Sequence, residues 1–248
     1  MVNNTTVIEV ELGQMTYKKA FSIQENVFNQ IIAQKRANRV QPETVKTNNY
    51  LLWVEHPPVI TLGKSGKMDH LLLNEKNLKD KGIEFYHTNR GGDITFHGPG
   101  QIVGYPIFDL DHFFTDIHRY LRYLEQAVIN TLEEYGIQGN RSNGETGVWL
   151  DAGTPFARKI CAMGVRASRW VTMHGFAFNI NTDLQYFDHI VPCGIQGKGV
   201  TSLQKELGHS IPLETVKKQL KAHLGELFEV QWQSTELVDL INDKTIGL

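Results

Sequence analysis

Cysteine is scarce: Cys161 and Cys193 are the two in 248 residues. That excludes a disulfide-rich scaffold and any four-cysteine zinc site. Long apolar runs are missing too, since a bilayer span needs roughly 18 residues. Met1–Leu12 lacks the basic start and continuous apolar stretch of a signal peptide. The expectation is a cytoplasmic chain with no membrane partner, in which thiols stay reduced. Neither sign of charge dominates, with 25 Lys and Arg against 27 Asp and Glu. A general nucleic-acid binder is usually plainly basic, so no nucleic-acid partner is expected. No repeat, low-complexity tract or Pro/Ser linker divides the chain, and at roughly 150 residues per domain its length suits one large domain or two small ones.

Hydrophobic periodicity supplies the elements. Val7–Leu12 alternates as a half-buried strand, and Met15–Arg39 keeps a helical period through Tyr17, Phe21, Phe28, Ile31 and Ile32. Tyr50–Val54, Val59–Leu62, Ile83–Thr88 and Ile94–Phe96 read as short strands, with a helix over Asn74–Lys81 stopped by Gly82. Thr115–Tyr135 is the clearest later helix, and Gly136 ends it. Strands are expected at Gly147–Leu150, Lys159–Val165 and Thr172–Ile180, and Thr201 with Gln204 signals a capping box. Val216, Leu220 and Leu224 return to helical spacing. Helices and strands mix without regular βαβ alternation, so the fold class is α+β, a mixed β core with helices packed on it. The whole of 1–248 reads as one domain, with 209–248 as a candidate small C-terminal subdomain.

The densest chemistry lies in Arg90-Gly-Gly-Asp-Ile-Thr-Phe-His-Gly-Pro-Gly-Gln101. It is neither a Walker loop nor a dinucleotide fingerprint. Its glycines fit either tight turns around a strand or a wall where backbone approaches a ligand. Cys161 sits in an apolar run, where cysteine usually serves as a small buried hydrophobe. Cys193 lies between Pro192 and Gly194, a setting for an accessible sulfur, although a nucleophilic thiol also needs a nearby cation or base. His189 and Cys193 stand four apart with no second Cys/His pair, so no metal site is expected. Gly63-Lys-Ser-Gly66 lacks the spacing of a serine nucleophile elbow. Arg158, Lys159, Arg166 and Arg169 fall within twelve residues free of acids. They suit a solvated strand edge or a patch that steers an acidic partner.

Taken in order, Arg90–Gln101, Gly147-Val-Trp149, Lys159-Ile-Cys-Ala-Met-Gly-Val-Arg166, His174-Gly-Phe-Ala-Phe-Asn179, Pro192-Cys-Gly194 and Gly199-Val-Thr-Ser-Leu203 resemble the lipoyl(octanoyl) transferase family. Leu12–Tyr17 and His56–Gly63 extend the likeness, which spans about 12–208. The resemblance implies the fold of the biotin and lipoate protein ligase catalytic domains. It implies a monomer that moves an octanoyl group from octanoyl-acyl carrier protein, through a cysteine thioester, to a lysine amine. The acceptors it implies are lipoyl domains of the glycine-cleavage H protein and of 2-oxoacid dehydrogenase subunits. A thioester is already activated, so no cofactor is implied.

By the same resemblance Cys193 and Lys159 are catalytic. Arg90, Gly91, Gly92, Asp93, Ile94, Thr95, Phe96, His97, Ala162, Met163, Gly164, Gly175, Phe176 and Ala177 line the substrate. Phe96, Phe176 and Met163 would form an apolar slot for the alkyl chain. Asp93 stands where the family often carries an uncharged residue, and no motif follows Gly208. The nearest rival is an ATP-dependent lipoate–protein ligase. There the glycine motif reads RGGGxVxHDxGN, whereas here His97 precedes Gly-Pro-Gly-Gln. The other rival, a non-catalytic scaffold that docks both proteins, would have no need of Lys159 and Cys193.

Overall fold

The computed structural model describes residues 4–40, 44–191 and 199–242. The N-terminal alternation becomes β1 (Thr6–Gln14), which runs parallel to β2 (Asn49–Glu55). Between them lies α1 (Tyr17–Ala37), which buries Ala20, Ile23, Val27, Phe28 and Ile31. The main sheet continues through β6 (Gln101–Ile107), β10 (Val171–Asn179), β9 (Arg158–Ser168), β8 (Glu145–Leu150) and β7 (Asn140–Ser142), each pair antiparallel. A second, three-stranded sheet holds β4 (Glu84–His87), β3 (Val59–Leu62) and β5 (Ile94–His97) in that order.

Both faces of the main sheet are covered. Along β2, Tyr50, Leu52 and Val54 pack towards α1, while Leu51 and Trp53 pack towards α3 (Ile117–Glu133) and α5 (Leu213–Phe228). A strand buried on both faces reads as a continuous apolar run, as Tyr50–Val54 does. Asp116 caps α3 through the amides of His118 and Arg119, and Gly136, in the left-handed region at φ 70°, ends it. The small sheet has its own core of Ile60, Leu62, Leu78, Ile94, Phe96 and Ile190, closed by α2 (Glu75–Asp80) and the 3-10 turn Leu184–His189.

Three differences from the sequence reading have physical causes. No strand was expected over 101–107, yet β6 is the central strand between β2 and β10. Gly104 and Pro106 mask it, and both have a packing reason. A Cβ at Gly104 would stand 2.3 Å from the Phe176 ring, and the Pro106 carbonyl accepts from the Thr172 hydroxyl at 2.9 Å. The expected capping box is displaced by one residue. Ser202 caps α4 (Leu203–Leu207) by accepting from the Lys205 amide, while the Thr201 hydroxyl donates to Glu206. The third difference concerns the C-terminal elements: β12 (Gln231–Ser234) joins the main sheet beside β1, and Val216, Leu220, Leu224 and Phe228 of α5 sit in the main core.

Phe228 is ringed by Phe108, Phe113, Phe114, Tyr120 and Tyr123, at centroid distances of 5.2–6.0 Å. Its truncation leaves a cavity bounded by rigid rings that collapse poorly. Phe228→Ala is therefore expected to lower unfolding free energy by about 3–5 kcal/mol, read from urea denaturation. A loss below about 1 kcal/mol would mean that α5 is peripheral to the core.

Candidate active site

The loop between the two sheets builds the site. Arg90 is buried, and its Nη2 donates to the Thr61 carbonyl at 2.8 Å and the Thr61 hydroxyl at 3.0 Å, which ties it to β3. The next residue, Gly91, donates its amide to the Val165 carbonyl of β9 at 2.9 Å. The two sheets are thereby joined through adjacent residues. A Cβ at Gly164 would stand 2.7 Å from the Gly91 carbonyl, and one at Gly63 2.3 Å from that of Gly92. Gly63–Gly66 is thus a turn that seats the glycine loop, with Lys64 and Ser65 amides bonded to the Arg90 and Gly92 carbonyls.

A cavity of about 730 Å³ opens beside this loop. That volume lies within the usual range of ligand sites. Of the residues expected to line a substrate, Arg90–Thr95, His97, Ala162–Gly164 and Gly175–Ala177 all border it, and so does Lys159. Phe96 does not. Alternation along β5 turns its ring away, and it stacks on Tyr186 at 4.6 Å inside the small core. The apolar floor is made by Met163, Phe176, Leu121 and Val165 instead. The glycines of the 90–101 stretch divide by role. Gly91 and Gly92 are wall, whereas Gly100, at φ 78° and packed on Asn181, belongs to the β5–β6 turn.

Lys159, 9% exposed, is the second residue of β9 and pairs across the sheet with Trp149 of β8. Its ammonium lies 4.6 Å from the Trp149 ring centroid. Gly147, at φ 117°, brings backbone against the lysine stem. A Cβ there would fall 2.5 Å from the Cys161 carbonyl. The buried Glu125 of α3 holds Gly147 by accepting its amide at 3.0 Å, and is itself paired with Arg122 and Arg141. The motif Gly147-Val-Trp149 is in this way the seat of Lys159.

Cys161 is fully buried, and burial pushes its thiol well above the ordinary range, although the Lys159 charge opposes the shift. It is a core residue. Cys193, with Pro192 and Gly194, lies outside the described residues. The flanking chain is placed. Val191 donates its amide to the His70 carbonyl at 2.8 Å, and β11 (Gly199–Val200) pairs with β9 at Arg158 and Lys159. His70 and Lys159 both line the cavity. Asp93 pairs with His70 Nδ1 at 2.6 Å and accepts the Ile94 amide at 2.7 Å.

Several wall residues escaped the sequence reading: Tyr17, His70, Gln101, Tyr105, Trp149, His174 and Asn179. Each is distant in sequence from the glycine stretch or was read as part of a turn or strand; the motif residues among them carried the one available signal. Of the acid-free basic group, Arg158 is spent on Glu206 and Asp151, and Arg166 lies 5.0 Å over the Phe28 ring. Arg169 is exposed at the β9–β10 turn, where it and Trp170 both take positive φ.

An apolar-floored cleft with a buried lysine, framed by a mixed sheet, defines a catalytic domain of a known kind. The description "Lipoyl protein ligase A/B catalytic domain" matches residues 16–225, and the chain belongs to that family. It is 63% identical over 221 residues to a Christiangramia forsetii protein named octanoyltransferase, covering 89% of this chain and 94% of that one. A Flavobacterium johnsoniae octanoyltransferase is 62% identical over 222 residues, covering 89% and 96%. The fold is also that of the bipartite lipoate protein ligase from Thermoplasma acidophilum, at TM-score 0.70, 13% identity and coverage of 98% and 91%.

His97 and His174 border the cavity and His56 lies behind them against Tyr105, and burial holds all three neutral. His56 is held at a pKa of about 4, and His97 and His174 at about 3, where Arg90 adds to the effect. Below pH 6.5 the unfolded chain binds protons at these residues that the folded chain refuses. Stability is therefore present above pH 6.5 and declines as pH falls towards 4. Each group contributes up to about 1.4 kcal/mol per pH unit. Urea midpoints measured from pH 7.5 to 5 should fall, and His56→Gln should make the slope shallower. A flat profile would mean that the histidines are charged in the fold.

Proposed function

We propose that this chain is an octanoyltransferase. It moves an octanoyl group from a carrier-protein thioester to a lysine amine of a lipoyl domain. The observation that carries the reading is the cavity: an apolar floor of Met163, Phe176 and Leu121 beside the buried ammonium of Lys159. Burying the seven carbons beyond the carbonyl is worth roughly 6 kcal/mol at about 0.8 kcal/mol each.

Cys193 is the nucleophile in this reading. It follows Val191 by two residues, and Val191 is bonded to His70 on the cavity wall. Its thiolate attacks the thioester carbonyl, and the carrier's thiol leaves. Lys159 favours the thiolate by its charge. The acceptor's amine then attacks the acyl-enzyme, giving an amide more stable than the thioester, so two protein substrates use one site in turn. No described helix is long and apolar enough to cross a membrane. The donor is octanoyl-acyl carrier protein, and the acceptors are the lipoyl domains of glycine-cleavage H protein and 2-oxoacid dehydrogenase subunits, which places the reaction in the cytoplasm.

Intact-mass analysis after incubation with octanoyl-carrier protein tests the covalent step. An octanoyl adduct is expected without ATP, retained in Cys161→Ala and lost in Cys193→Ala. Lys159→Ala should raise the pH at which Cys193 reacts with iodoacetamide, while Lys159→Arg keeps part of the thiolate and loses proton transfer. A requirement for ATP, or full transfer by Cys193→Ala, would return the chain to the ligase reading.

The exposed Arg169 lies in the turn just past the end of β9, which runs about 10 Å beyond Val165 on the cavity wall. Carrier proteins of this kind are acidic, so Arg169→Glu should raise the apparent KM for octanoyl-carrier protein at low salt. The difference should shrink at high salt, because the Debye length falls to about 3 Å at 1 M. A KM indifferent to both changes would remove Arg169 from the docking surface. Arg158, already paired, should matter less.

A further inference from the structure

A chain of hydrogen bonds with one permitted direction ends at His97. It begins at the Thr201 carbonyl, which can only accept. The group of Asn179 that faces it at 3.0 Å is therefore Nδ2. Asn179 Oδ1 then accepts from Gln101 Nε2 at 2.8 Å, and the same nitrogen donates to the Phe96 carbonyl at 3.3 Å. Two backbone carbonyls thus fix both amides independently. Gln101 Oε1 is left facing His97 Nδ1 at 2.9 Å, so Nδ1 carries the hydrogen. The other ring nitrogen, Nε2, holds a bare lone pair. No described residue bonds to it, and His97 lines the cavity.

We infer that His97 Nε2 is a fixed, uncharged acceptor for an N–H of the attacking lysine amine, with Gln101 and Asn179 as its positioning residues. The inference rests on the octanoyl-transfer reading above. An amine attacks only as the free base, with its lone pair aimed at the acyl carbon and its N–H bonds turned elsewhere. A carboxylate acceptor would favour the unreactive ammonium. Asp93, the acid on the same wall, is committed to His70 and to the Ile94 amide. A neutral imidazole that resists protonation accepts the bond without taking the proton.

The step balances. The nitrogen lone pair forms the C–N bond, and the C–S bond breaks with its pair going to sulfur. One N–H proton ends on that sulfur as the Cys193 thiol. The other, held by His97, stays on the amide nitrogen.

The groups that face His97 come from every neighbouring element. Tyr17 of α1 stacks on it, His56 meets it edge-on at 5.8 Å, and Tyr105 of β6 bonds to His56 at 2.7 Å. Arg90 and His174 complete the set, and Arg90 is the charged member, opposing protonation. The test separates the two half-reactions by single-turnover mass spectrometry with octanoyl-carrier protein and a lipoyl domain. His97→Phe keeps a ring against Tyr17 and removes both nitrogens. Aminolysis should slow about five- to tenfold more than acylation, as expected for one lost hydrogen bond.

Gln101→Glu supplies the independent arm. A carboxylate beside Nδ1 favours imidazolium, in which Nε2 becomes a donor. Aminolysis should then fall more steeply towards acid pH than in the parent enzyme, whose profile carries the deprotonation of the attacking amine alone, and recover at high pH, while acylation keeps its profile. Equal slowing of both half-reactions in His97→Phe would overturn the inference, as would a Gln101→Glu profile identical to the parent's. If the parent enzyme forms no octanoyl adduct at all, the transfer reading itself fails. If it does and only these outcomes fail, the octanoyltransferase stands and His97 is merely wall.

Discussion

The cavity exists because residues 90–93 are held on two sides at once. Arg90 grips Thr61 of the small sheet, and one peptide later Gly91 is bonded to Val165 of the large one. Both sheets contribute to the lining of this cavity. The close approach needs backbone without side chains at Gly63, Gly91 and Gly164, where a Cβ would meet a carbonyl oxygen or arginine at 3.3 Å or less. Burying a guanidinium is costly unless it is bonded, and the carbonyls of Thr61 and Gly91, which accept from Nη2 and Nη1, offset part of that cost. The same charge then acts on its surroundings, helping to keep His97 and His174 neutral. One arginine thus shapes the wall and adds its charge to the burial that keeps the groups behind it neutral.

Lys159 is supported from the opposite side. Glu125 on α3 accepts the amide of Gly147, whose missing side chain admits the lysine stem, and Trp149 offers its ring to the ammonium. Glu125 is completely buried and answered by two arginines. Removing one partner of such a group costs far more than the pair is worth, because a charge is left unmatched. The helix that carries Glu125 also anchors the aromatic cluster around Phe228, so α5 and the lysine share a support.

Much of this was legible in the chain before it was folded. Helical period marked α1 and α3, Gly136 marked the end of α3, and the ordered motifs marked the wall residues at 90–95, 97, 162–164 and 175–177. Three kinds of feature were not. The strand Gln101–Ile107 carries Gly104 and Pro106, which locally argue for a turn; their justification, the Phe176 ring and the Thr172 hydroxyl, lies some 70 residues away. Phe96 was placed on the wrong side because its neighbours Thr95 and His97 face the cavity, and in a strand the side chain between two wall residues points away. His70 and Trp149 entered the site through loop and cross-strand contacts that no local spacing encodes.

The division between an apolar floor and a polar rim has a consequence for catalysis. In the proposed transfer the alkyl chain stays on Met163 and Phe176 throughout, in substrate, acyl-enzyme and product alike. Its binding energy is the same in ground and transition states, so it sets affinity and chain-length preference but cannot accelerate chemistry. Acceleration has to come from groups whose contacts change as bonds change: a cation that meets developing charge on sulfur, and an acceptor that orients an amine only when it arrives. Those groups sit on the rim, held by β9, by the loop at 90–93 and by the Gln101–Asn179 relay. The floor can therefore drift among related chains as long as its volume is kept, whereas a change of one donor to one acceptor on the rim alters the reaction itself.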